Sequence, residues 1–306
     1  MTFRPHQGIW PALLTPVTAQ GEIRHDLLAA HAKQLLGLGC SGLTLFGTTG
    51  EGPSFSVNER QDALEKLITA GVDPRALLVH TSAAAIPDAI ALSAHATTLG
   101  VHGCLLMPPF FFKAVSDTGI THALQAVFDG VAAHGLTLRA VLYHIPQVAG
   151  VGLSAHVIAS LVSQNPGGIL GIKDSACDRQ HSLALADAFA PGLQVWVGNE
   201  LDIPSLAQVG TNGAVSGVAN VMPATVMRLV ASRDAVDIEQ ALAKTAAYID
   251  LLNATGMLPT FKATMAILTG EDDWANVRAP LVRLSTANIE LVRTRLAEAA
   301  LNDFSS

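Results

Sequence analysis

Eight short apolar runs, each followed by a longer amphipathic window, constrain the fold of this 306-residue chain more than any other feature. The runs are rich in Val, Leu, Ile and Gly, which is typical of strands covered on both faces of a parallel sheet. Eight strand–helix units in succession predict a (β/α)8 TIM barrel. The predicted strands are Gly8–Thr15, Gly42–Gly47, Arg75–Thr81, Gly103–Met107, Leu138–His144, Gly168–Asp174, Leu193–Gly198 and Gly213–Gly217.

The chain beyond the eighth unit has a different pattern. Three helical windows follow residue 232 with no strand between them, near residues 236–253, 259–269 and 287–301. We therefore predict a barrel that carries the catalytic site over residues 1–232 and a helical C-terminal region over residues 233–306. A doubly wound dinucleotide fold is disfavoured, because no glycine-rich phosphate-binding turn follows the first strand.

Composition excludes several classes of partner. The formal net charge is -7 and the sequence has no Lys/Arg cluster, which argues against nucleic acid and against a basic membrane-surface face. No apolar run is long enough to predict a membrane span, and the N-terminus lacks a signal-peptide pattern. Cys40, Cys104 and Cys177 are too widely spaced for a disulfide framework or a metal motif. We expect a cytoplasmic protein.

Lys173 is the strongest candidate for chemistry, because active sites of such barrels lie at the carboxyl ends of the strands. It is the only one of six lysines that falls within a predicted strand. Burying an ammonium is costly, and desolvation favours the neutral amine, which is the nucleophilic form. The functional interpretation is a Schiff-base lysine. The structural alternative is a lysine paired with Asp174 or another acid.

Two further features lie at predicted strand ends. Tyr143 ends the fifth strand, where a phenol can shuttle protons, although a core aromatic is an equally good interpretation. The turn Gly47-Thr48-Thr49-Gly50-Glu51 follows the second strand. Its glycines permit a tight turn, and its hydroxyls and N–H groups can face a carboxylate. The alternative is an ordinary turn, and we expect Glu51 to fix this loop rather than to act in catalysis.

Other catalytic classes lack support in the sequence. Among eleven histidines there is no HExxH motif and no tight His/Asp group at the predicted strand ends, so we predict no metal. The nucleophile elbow G-x-S-x-G is missing, which argues against serine chemistry. Met257 and Trp274 are expected to pack between helices.

The ordered set of motifs resembles the dihydrodipicolinate synthase / N-acetylneuraminate lyase family. The set consists of GTTGE after the second strand, Tyr-x-x-Pro after the fifth and Gly-x-Lys-Asp at the sixth, and the likeness extends from Gly8-Ile-Trp-Pro to the helical tail. The resemblance implies a class I aldolase barrel that is usually a homotetramer. It also implies that no cofactor is needed beyond a covalent lysine–pyruvate imine.

The resemblance implies a role for each matching residue. Lys173 would condense with the keto carbon of pyruvate, while Tyr143 and Thr48 would relay protons. Thr49 would hold the pyruvate carboxylate, and the backbone carbonyl of Val215 would face the bound pyruvate. Gly47 belongs to the same substrate-binding turn.

Glu200 and Ser175 are also predicted to bind substrate. Both follow predicted strands, so we expect them at the variable end of the substrate.

Two positions depart from the pattern of the family. Synthases that act on aspartate semialdehyde usually carry an arginine five residues after the relay tyrosine, and Val148 stands there. Valine cannot form the bidentate carboxylate pair of an arginine, and Ile-Pro-x-x-x-Gly-Val is closer to the lyases. Phe111 stands where the family commonly supplies a tyrosine to the neighbouring subunit's site. Phenylalanine has no proton to relay, so the usual relay is incomplete.

The sequence therefore predicts a pyruvate-dependent lyase or aldolase that cleaves or forms a 2-keto acid, such as a 2-keto-3-deoxy sugar acid. One alternative is 4-hydroxy-tetrahydrodipicolinate synthase, which condenses pyruvate with aspartate semialdehyde. A second, motivated by Phe111, is a catalytically weak 2-keto acid binding protein. A dehydratase or deaminase that uses the same imine chemistry stays open, as does an unrelated barrel with a structural lysine.

Overall fold

The computed structural model describes residues 8–190 and 192–304. Within these ranges, eight parallel strands form one sheet in the order β1-β8-β7-β6-β5-β4-β3-β2. An isolated parallel bridge between Ala12 and Thr44 joins the two outer strands, and Leu13 N donates to Thr44 O at 2.9 Å. The sheet thus closes into a barrel, and the predicted (β/α)8 fold is confirmed. The strands are β1 (Gly8–Pro11), β2 (Leu43–Leu45), β3 (Leu77–His80), β4 (Gly103–Leu106), β5 (Ala140–His144), β6 (Ile169–Asp174), β7 (Gln194–Val197) and β8 (Gly213–Ser216).

Helices follow the strands along the chain. Several begin at side-chain caps, with Ser56, Ser116, Ser154 and Asp178 each accepting a hydrogen bond from an N–H of the first turn. The helices are α1 (His25–Gly37), α2 (Val57–Thr69), α3 (Ile86–Thr98), α4 (Asp117–Ala133), α5 (Pro146–Ala149), α6 (Ala155–Gln164), α7 (Arg179–Phe189), α8 (Ile203–Ala207), α9 (Pro223–Ala231), α10 (Ala235–Thr255), α11 (Met257–Thr269) and α12 (Thr286–Glu298).

All eight strands are shorter than their predicted ranges, and the largest difference is at the first strand. The first strand ends at Pro11, four residues before its predicted end at Thr15, because Leu14 N turns to donate to the side chain of Asn220 instead of to a strand. The short helix α5 was not predicted. It begins at Pro146 and ends before Gly150, whose positive φ of 66° closes the turn.

The core has separate layers inside and outside the barrel. Strand residues that include Trp10, Tyr143 and Trp196 form one buried cluster that contains no residue of the long helices, so it fills the barrel. A second cluster joins β1, β7 and β8 to the C-terminal helices and includes Tyr248 and Trp274. The C-terminal region therefore shares a hydrophobic core with the barrel, and the division at residue 232 stays a prediction. Among the described helices, none combines the length and the apolar character needed to cross a bilayer.

Candidate active site

A cavity of about 340 Å³ opens at the carboxyl ends of the strands. Seven residues predicted for the site line it together: Thr48, Thr49, Tyr143, Lys173, Ser175, Glu200 and Val215. Gly47 adjoins the lining without belonging to it, and Phe111 lies outside the cavity with 73% of its surface exposed. The remaining lining residues are Ala12, Ile145, Gln147, Val148, Cys177, Gly198, Asn199, Gly217, Val218, Ile249, Leu252, Asn253, Met257 and Phe261.

Lys173 and Tyr143 are direct neighbours across two strands. They are paired in the parallel register of β5 and β6, so their side chains leave the sheet on the same face. Lys173 is 4% exposed, and its Nζ lies 4.2 Å from the centroid of the Tyr143 ring. In the described part of the chain, no carboxylate lies within ion-pair distance of Lys173.

Asp174, the partner that the structural alternative requires, is engaged elsewhere. Successive strand residues point to opposite faces, so its carboxylate lies on the other side of β6 from Lys173. It accepts hydrogen bonds from Ser182 Oγ at 2.6 Å and from Ala176 N at 3.1 Å. Lys173 is therefore not the structural half of a pair with Asp174.

The turn after β2 brings a second hydroxyl to Tyr143. Thr48 Oγ1 lies 3.2 Å from Tyr143 OH, and either oxygen can donate. The turn is held by Gly52 N donating to Gly47 O at 3.2 Å and by Glu51 N donating to Thr48 O at 3.1 Å. A Cβ atom at position 52 would lie 1.8 Å from a backbone oxygen, so only glycine fits there.

Glu200 has one oxygen already in use. Its Oε1 accepts from Ser216 Oγ at 2.6 Å and from Val218 N at 3.2 Å, which fixes the loop after β8 against the loop after β7. Ser175 N donates to His144 O at 2.8 Å, and this bond continues the β5–β6 ladder beyond the strands. Both residues line the cavity at the positions predicted from the sequence.

The wall of the cavity has little charge. Lys173 is the only basic residue among its lining residues, and Glu200 is the only acidic one. Gln147, Asn199 and Asn253 supply neutral amide groups around the opening. Val148 stands at the edge with 59% of its surface exposed. The described cavity therefore contains no guanidinium that could pair with a second carboxylate.

Sequence reasoning missed the residues that the C-terminal helices contribute. Ile249, Leu252 and Asn253 of α10 and Met257 and Phe261 of α11 line the cavity. Met257 was expected to pack between helices, and this expectation is wrong because its side chain is 43% exposed at the cavity. No periodic pattern in the sequence indicates that α10 and α11 pack at the mouth of the barrel. Amphipathic spacing identifies a buried face without identifying what covers it.

Beside the cavity, the barrel contains a neutral histidine. His80 is 1% exposed, and its ring meets the Tyr143 ring edge-on with 6.1 Å between centroids. Burial lowers the pKa of His80 well below its usual range, and the nearby charges of Arg60 and Lys173 add to this shift. The ring therefore adds no charge beside the amine of Lys173.

A His/Asp cluster lies at the ends of β5 and β6, which corrects the expectation that the sequence has none. His181 Nδ1 lies 3.1 Å from Asp174 Oδ2, and the rings of His144 and His181 stack with 4.3 Å between centroids. No sequence pattern indicates this cluster, because His181 reaches β6 from α7. Leu153 N donates to His144 Nδ1 at 2.8 Å, so the neutral ring carries its proton on Nε2. This tautomer presents a donor where a metal would need a lone pair, and the cluster is best described as a hydrogen-bonded anchor of α7.

Comparisons with known proteins identify the family of the chain. The model of the dihydrodipicolinate synthetase family matches residues 5–299. A DapA-like lyase of Chloroflexus aurantiacus is 34% identical over 289 residues, which span 94% of this chain and 95% of that relative. The crystal structure of dihydrodipicolinate synthase from Agrobacterium tumefaciens has a TM-score of 0.87 at 32% identity and covers 95% of this chain and 99% of its own. N-acetylneuraminate lyase of Proteus mirabilis shares the fold, with a TM-score of 0.86 at 22% identity over 96% of this chain and 99% of its own.

The fold and its relatives define the class of the protein as a (β/α)8-barrel lyase of the class I aldolase type. The predicted enzyme class is thus confirmed. The chain belongs to the dihydrodipicolinate synthetase family, as its motifs predicted.

Proposed function

We propose that the protein is a pyruvate-dependent lyase in which Lys173 forms the Schiff base. One observation carries the proposal: the Lys173 amine is buried in the cavity, 4.2 Å from the Tyr143 ring centroid, with no carboxylate to hold it among the described residues. An amine that is not engaged in an ion pair is available to attack a carbonyl carbon. The hydroxyl pair of Tyr143 and Thr48 lies beside it.

The chemistry follows from this arrangement. Lys173 Nζ adds to the keto carbon of pyruvate, and the resulting carbinolamine loses water as Tyr143, hydrogen-bonded to Thr48, passes a proton to the departing oxygen. The iminium ion withdraws electrons from the neighbouring methyl carbon. Loss of a proton from that carbon converts the iminium ion into an enamine. The enamine carbon then bonds to the carbonyl carbon of an aldehyde, the iminium ion forms again, and the aldehyde oxygen takes up the released proton to become a hydroxyl group. Hydrolysis frees Lys173 and the new 2-keto acid, and the same steps in reverse cleave it.

The turn after β2 is the proposed site of the pyruvate carboxylate. Hydroxyls and N–H groups of Thr48 and Thr49 supply donors, as an anion requires, and Thr49 is buried against the cavity. The carbonyl of Val215, at the end of β8, would face the bound pyruvate from the opposite wall.

The proposed second substrate is an uncharged, hydroxylated aldehyde. Gln147, Asn199 and Asn253 offer neutral hydrogen-bonding groups, and Glu200 and Ser175 complete the polar side of the cavity. A second carboxylate would find no partner, because Val148 occupies the position of the expected arginine. These features favour cleavage of a 2-keto-3-deoxy sugar acid.

A second candidate is 4-hydroxy-tetrahydrodipicolinate synthase. The 32% identity to a solved dihydrodipicolinate synthase supports it, and Val148 argues against it. Turnover of pyruvate with aspartate semialdehyde, compared with cleavage of sugar-derived 2-keto acids, separates the two. Binding of pyruvate without turnover of either substrate type would favour the third candidate, a weak 2-keto acid binder.

We further propose a homotetramer that uses no dissociable cofactor, because the imine itself is the electron sink. Phe111 and Phe112 stand side by side after β4, each 73% exposed, with 5.2 Å between ring centroids. A second copy of the chain is the natural cover for such a patch. Without a hydroxyl at Phe111, the relay consists of Tyr143 and Thr48 alone. A cytoplasmic location stays a prediction.

Borohydride reduction in the presence of pyruvate tests the proposal. One reduced pyruvate per chain, mapped to Lys173 by peptide mass spectrometry, is the expected result. Lys173→Ala should abolish the adduct, while Lys33→Ala, on the exposed face of α1, should leave it intact. A folded wild-type protein without the adduct would refute Schiff-base chemistry.

A further inference from the structure

We propose that Lys262 is a positioning residue for the substrate carboxylate, acting through Glu51 on the Thr48–Thr49 turn. This inference rests on the proposed function, because it assigns the turn to pyruvate binding. Nothing in the spacing of Lys262 along the sequence suggests such a role. Its support is a buried ion pair between the C-terminal region and the end of the GTTGE motif.

The pair is fully withdrawn from solvent. Lys262 Nζ lies 2.5 Å from Glu51 Oε1, and the side chains are 0% and 1% exposed. Desolvation lowers the pKa of Lys262, and Glu51 opposes that shift. Among the described residues, Glu51 is the only carboxylate at ion-pair distance from Lys262. Each charge therefore depends on the other for compensation in the core.

Glu51 transmits this constraint to the turn through its backbone. Its φ of 54° is left-handed, a conformation that is uncommon outside glycine and needs support from its surroundings. In this conformation its N–H donates to Thr48 O at 3.1 Å. The side chain held by Lys262 thus fixes the residue that closes the turn. If the ion pair with Lys262 were lost, the hydrogen-bond donors of Thr48 and Thr49 would no longer be held in a fixed direction.

A second cation from the C-terminal region borders the same turn. Arg278 N donates to Glu51 Oε2 at 3.3 Å, so both carboxylate oxygens have partners. The Arg278 guanidinium donates to Ser54 O at 2.8 Å and to Gly21 O, and it stacks over the Phe55 ring at 4.2 Å. Lys262 and Arg278, both from the C-terminal region, therefore hold Glu51 and the residues that follow the turn.

A purely structural role explains the pair poorly. A buried ion pair contributes little net stability compared with well-packed apolar residues, because both charges must be desolvated. The adjacent Phe261 shows that α11 can supply an apolar side chain here, since it lines the cavity. An ion pair at this point fixes the orientation of the Glu51 carboxylate, which a non-directional apolar contact does not.

The test compares a charged and an uncharged ketone. Pyruvate and methyl pyruvate present the same keto carbon to Lys173, but only pyruvate presents a carboxylate to the turn. We would measure the concentration of each that gives half-maximal borohydride trapping. The proteins are wild type, Lys262→Met, Lys262→Arg and the double variant Glu51→Gln/Lys262→Met, which leaves no unpaired buried charge.

The expected result is selective. Lys262→Met and the double variant should each need at least about tenfold more pyruvate, which corresponds to ~1.4 kcal/mol of binding, with methyl pyruvate changed by less than about twofold. Lys262→Arg, which keeps the charge, should fall between them and wild type. Thr264→Val, a buried change on the same helix at a hydroxyl that bonds Tyr248, should alter neither value.

Three results would overturn the inference. Unchanged trapping of pyruvate by the folded double variant would show that the pair does not position the turn, while the proposed function would stand. Equal losses with both ketones would assign the pair to the general stability of the site. Absence of any adduct in wild type would remove the proposed function and this inference together.

Discussion

Replacing Tyr143 by phenylalanine separates catalysis from stability, because the chain contains a matched control. Tyr143 and Tyr248 are the only two tyrosines. Both are buried, and each hydroxyl is hydrogen-bonded to a threonine: Tyr143 to Thr48 at 3.2 Å, and Tyr248 to Thr264 at 3.0 Å. One pair lies at the cavity, and the other lies between α10 and α11.

The structure sets the expected magnitudes. Each substitution removes one hydroxyl and leaves the ring in place, so each should lower the free energy of unfolding by about 1 kcal/mol. The catalytic effects should differ. Loss of a positioned proton donor typically slows a reaction by about 10²-fold or more, which raises the barrier by ~2.7 kcal/mol or more. Tyr143→Phe should therefore lose far more rate than stability, and Tyr248→Phe only stability.

The assay needs pyruvate alone. Exchange of the pyruvate methyl protons with deuterium requires imine and enamine formation but no aldehyde, and proton NMR follows it directly. Urea unfolding gives the stability of the same samples. Tyr143→Phe should exchange at least about a hundredfold more slowly than wild type, and Tyr248→Phe should stay within about twofold.

Two outcomes would refute this reasoning. Exchange by Tyr143→Phe within about threefold of wild type would show that the hydroxyl relays no proton in a rate-limiting step. Equal slowing in both variants would attribute the effect to a general loosening of the barrel.

Three further predictions concern the cavity and the core. Val148→Arg should leave turnover of aspartate semialdehyde within about threefold of wild type in a reductase-coupled assay, because one added guanidinium does not rebuild a carboxylate site. Gly217→Ala places a Cβ atom 3.1 Å from the Phe261 ring and 3.3 Å from Thr49 Oγ1, and the pyruvate concentration for half-maximal trapping should rise about tenfold. Burial lowers the pKa of His31 from 6.5 to about 4. Between these two pH values, His31 is protonated in the unfolded chain but not in the folded one. Stability is complete above pH 6.5 and falls below it. Between pH 7 and 5, wild type should lose about 2 kcal/mol more than His31→Gln in urea unfolding.

The eight strands could be predicted because each is buried on both faces. Burial on both faces removes the polar alternation that other strands show, and the apolar runs then stand out against the amphipathic helices. The ends of the strands depend on contacts between distant residues. Leu14 N donates to the side chain of Asn220, and this bond turns the chain after Pro11 into a loop. Asn220 lies near the other end of the barrel sequence. Propensity alone carries no information about such a contact.

The proximity of Lys173 and Tyr143 was also within reach of the sequence. Each is the next-to-last residue of its strand, the two strands are adjacent and parallel, and their register puts the two side chains on one face. The two-residue period of a strand placed His144 and Asp174 on the opposite face, where His181 of α7 completes a cluster. That third member could not be foreseen, because nothing in the sequence indicates which turn of a helix meets which strand.

The partner of Lys262 could not be predicted either, because the two residues are far apart in the sequence. In the sequence it is one lysine on an otherwise apolar helix, and no local pattern names its partner. The partner, Glu51, follows β2 and was expected only to fix its own loop. A charge inside an apolar helix face signals that some compensating charge exists. The identity of that charge is a property of the tertiary structure.

These contacts bear on how the active site depends on the C-terminal helices. Without α11, the buried carboxylate of Glu51 would lose its ion-pair partner Lys262 and would keep only the hydrogen bond from Arg278 N. The Thr48–Thr49 turn would then have to bring that carboxylate out to solvent, and this change would alter the conformation on which Thr48 and Thr49 depend. The cavity would also lose the wall that Asn253, Met257 and Phe261 provide. In the proposed mechanism, the barrel strands supply the reactive groups, and the C-terminal helices hold the turn that orients substrate toward them.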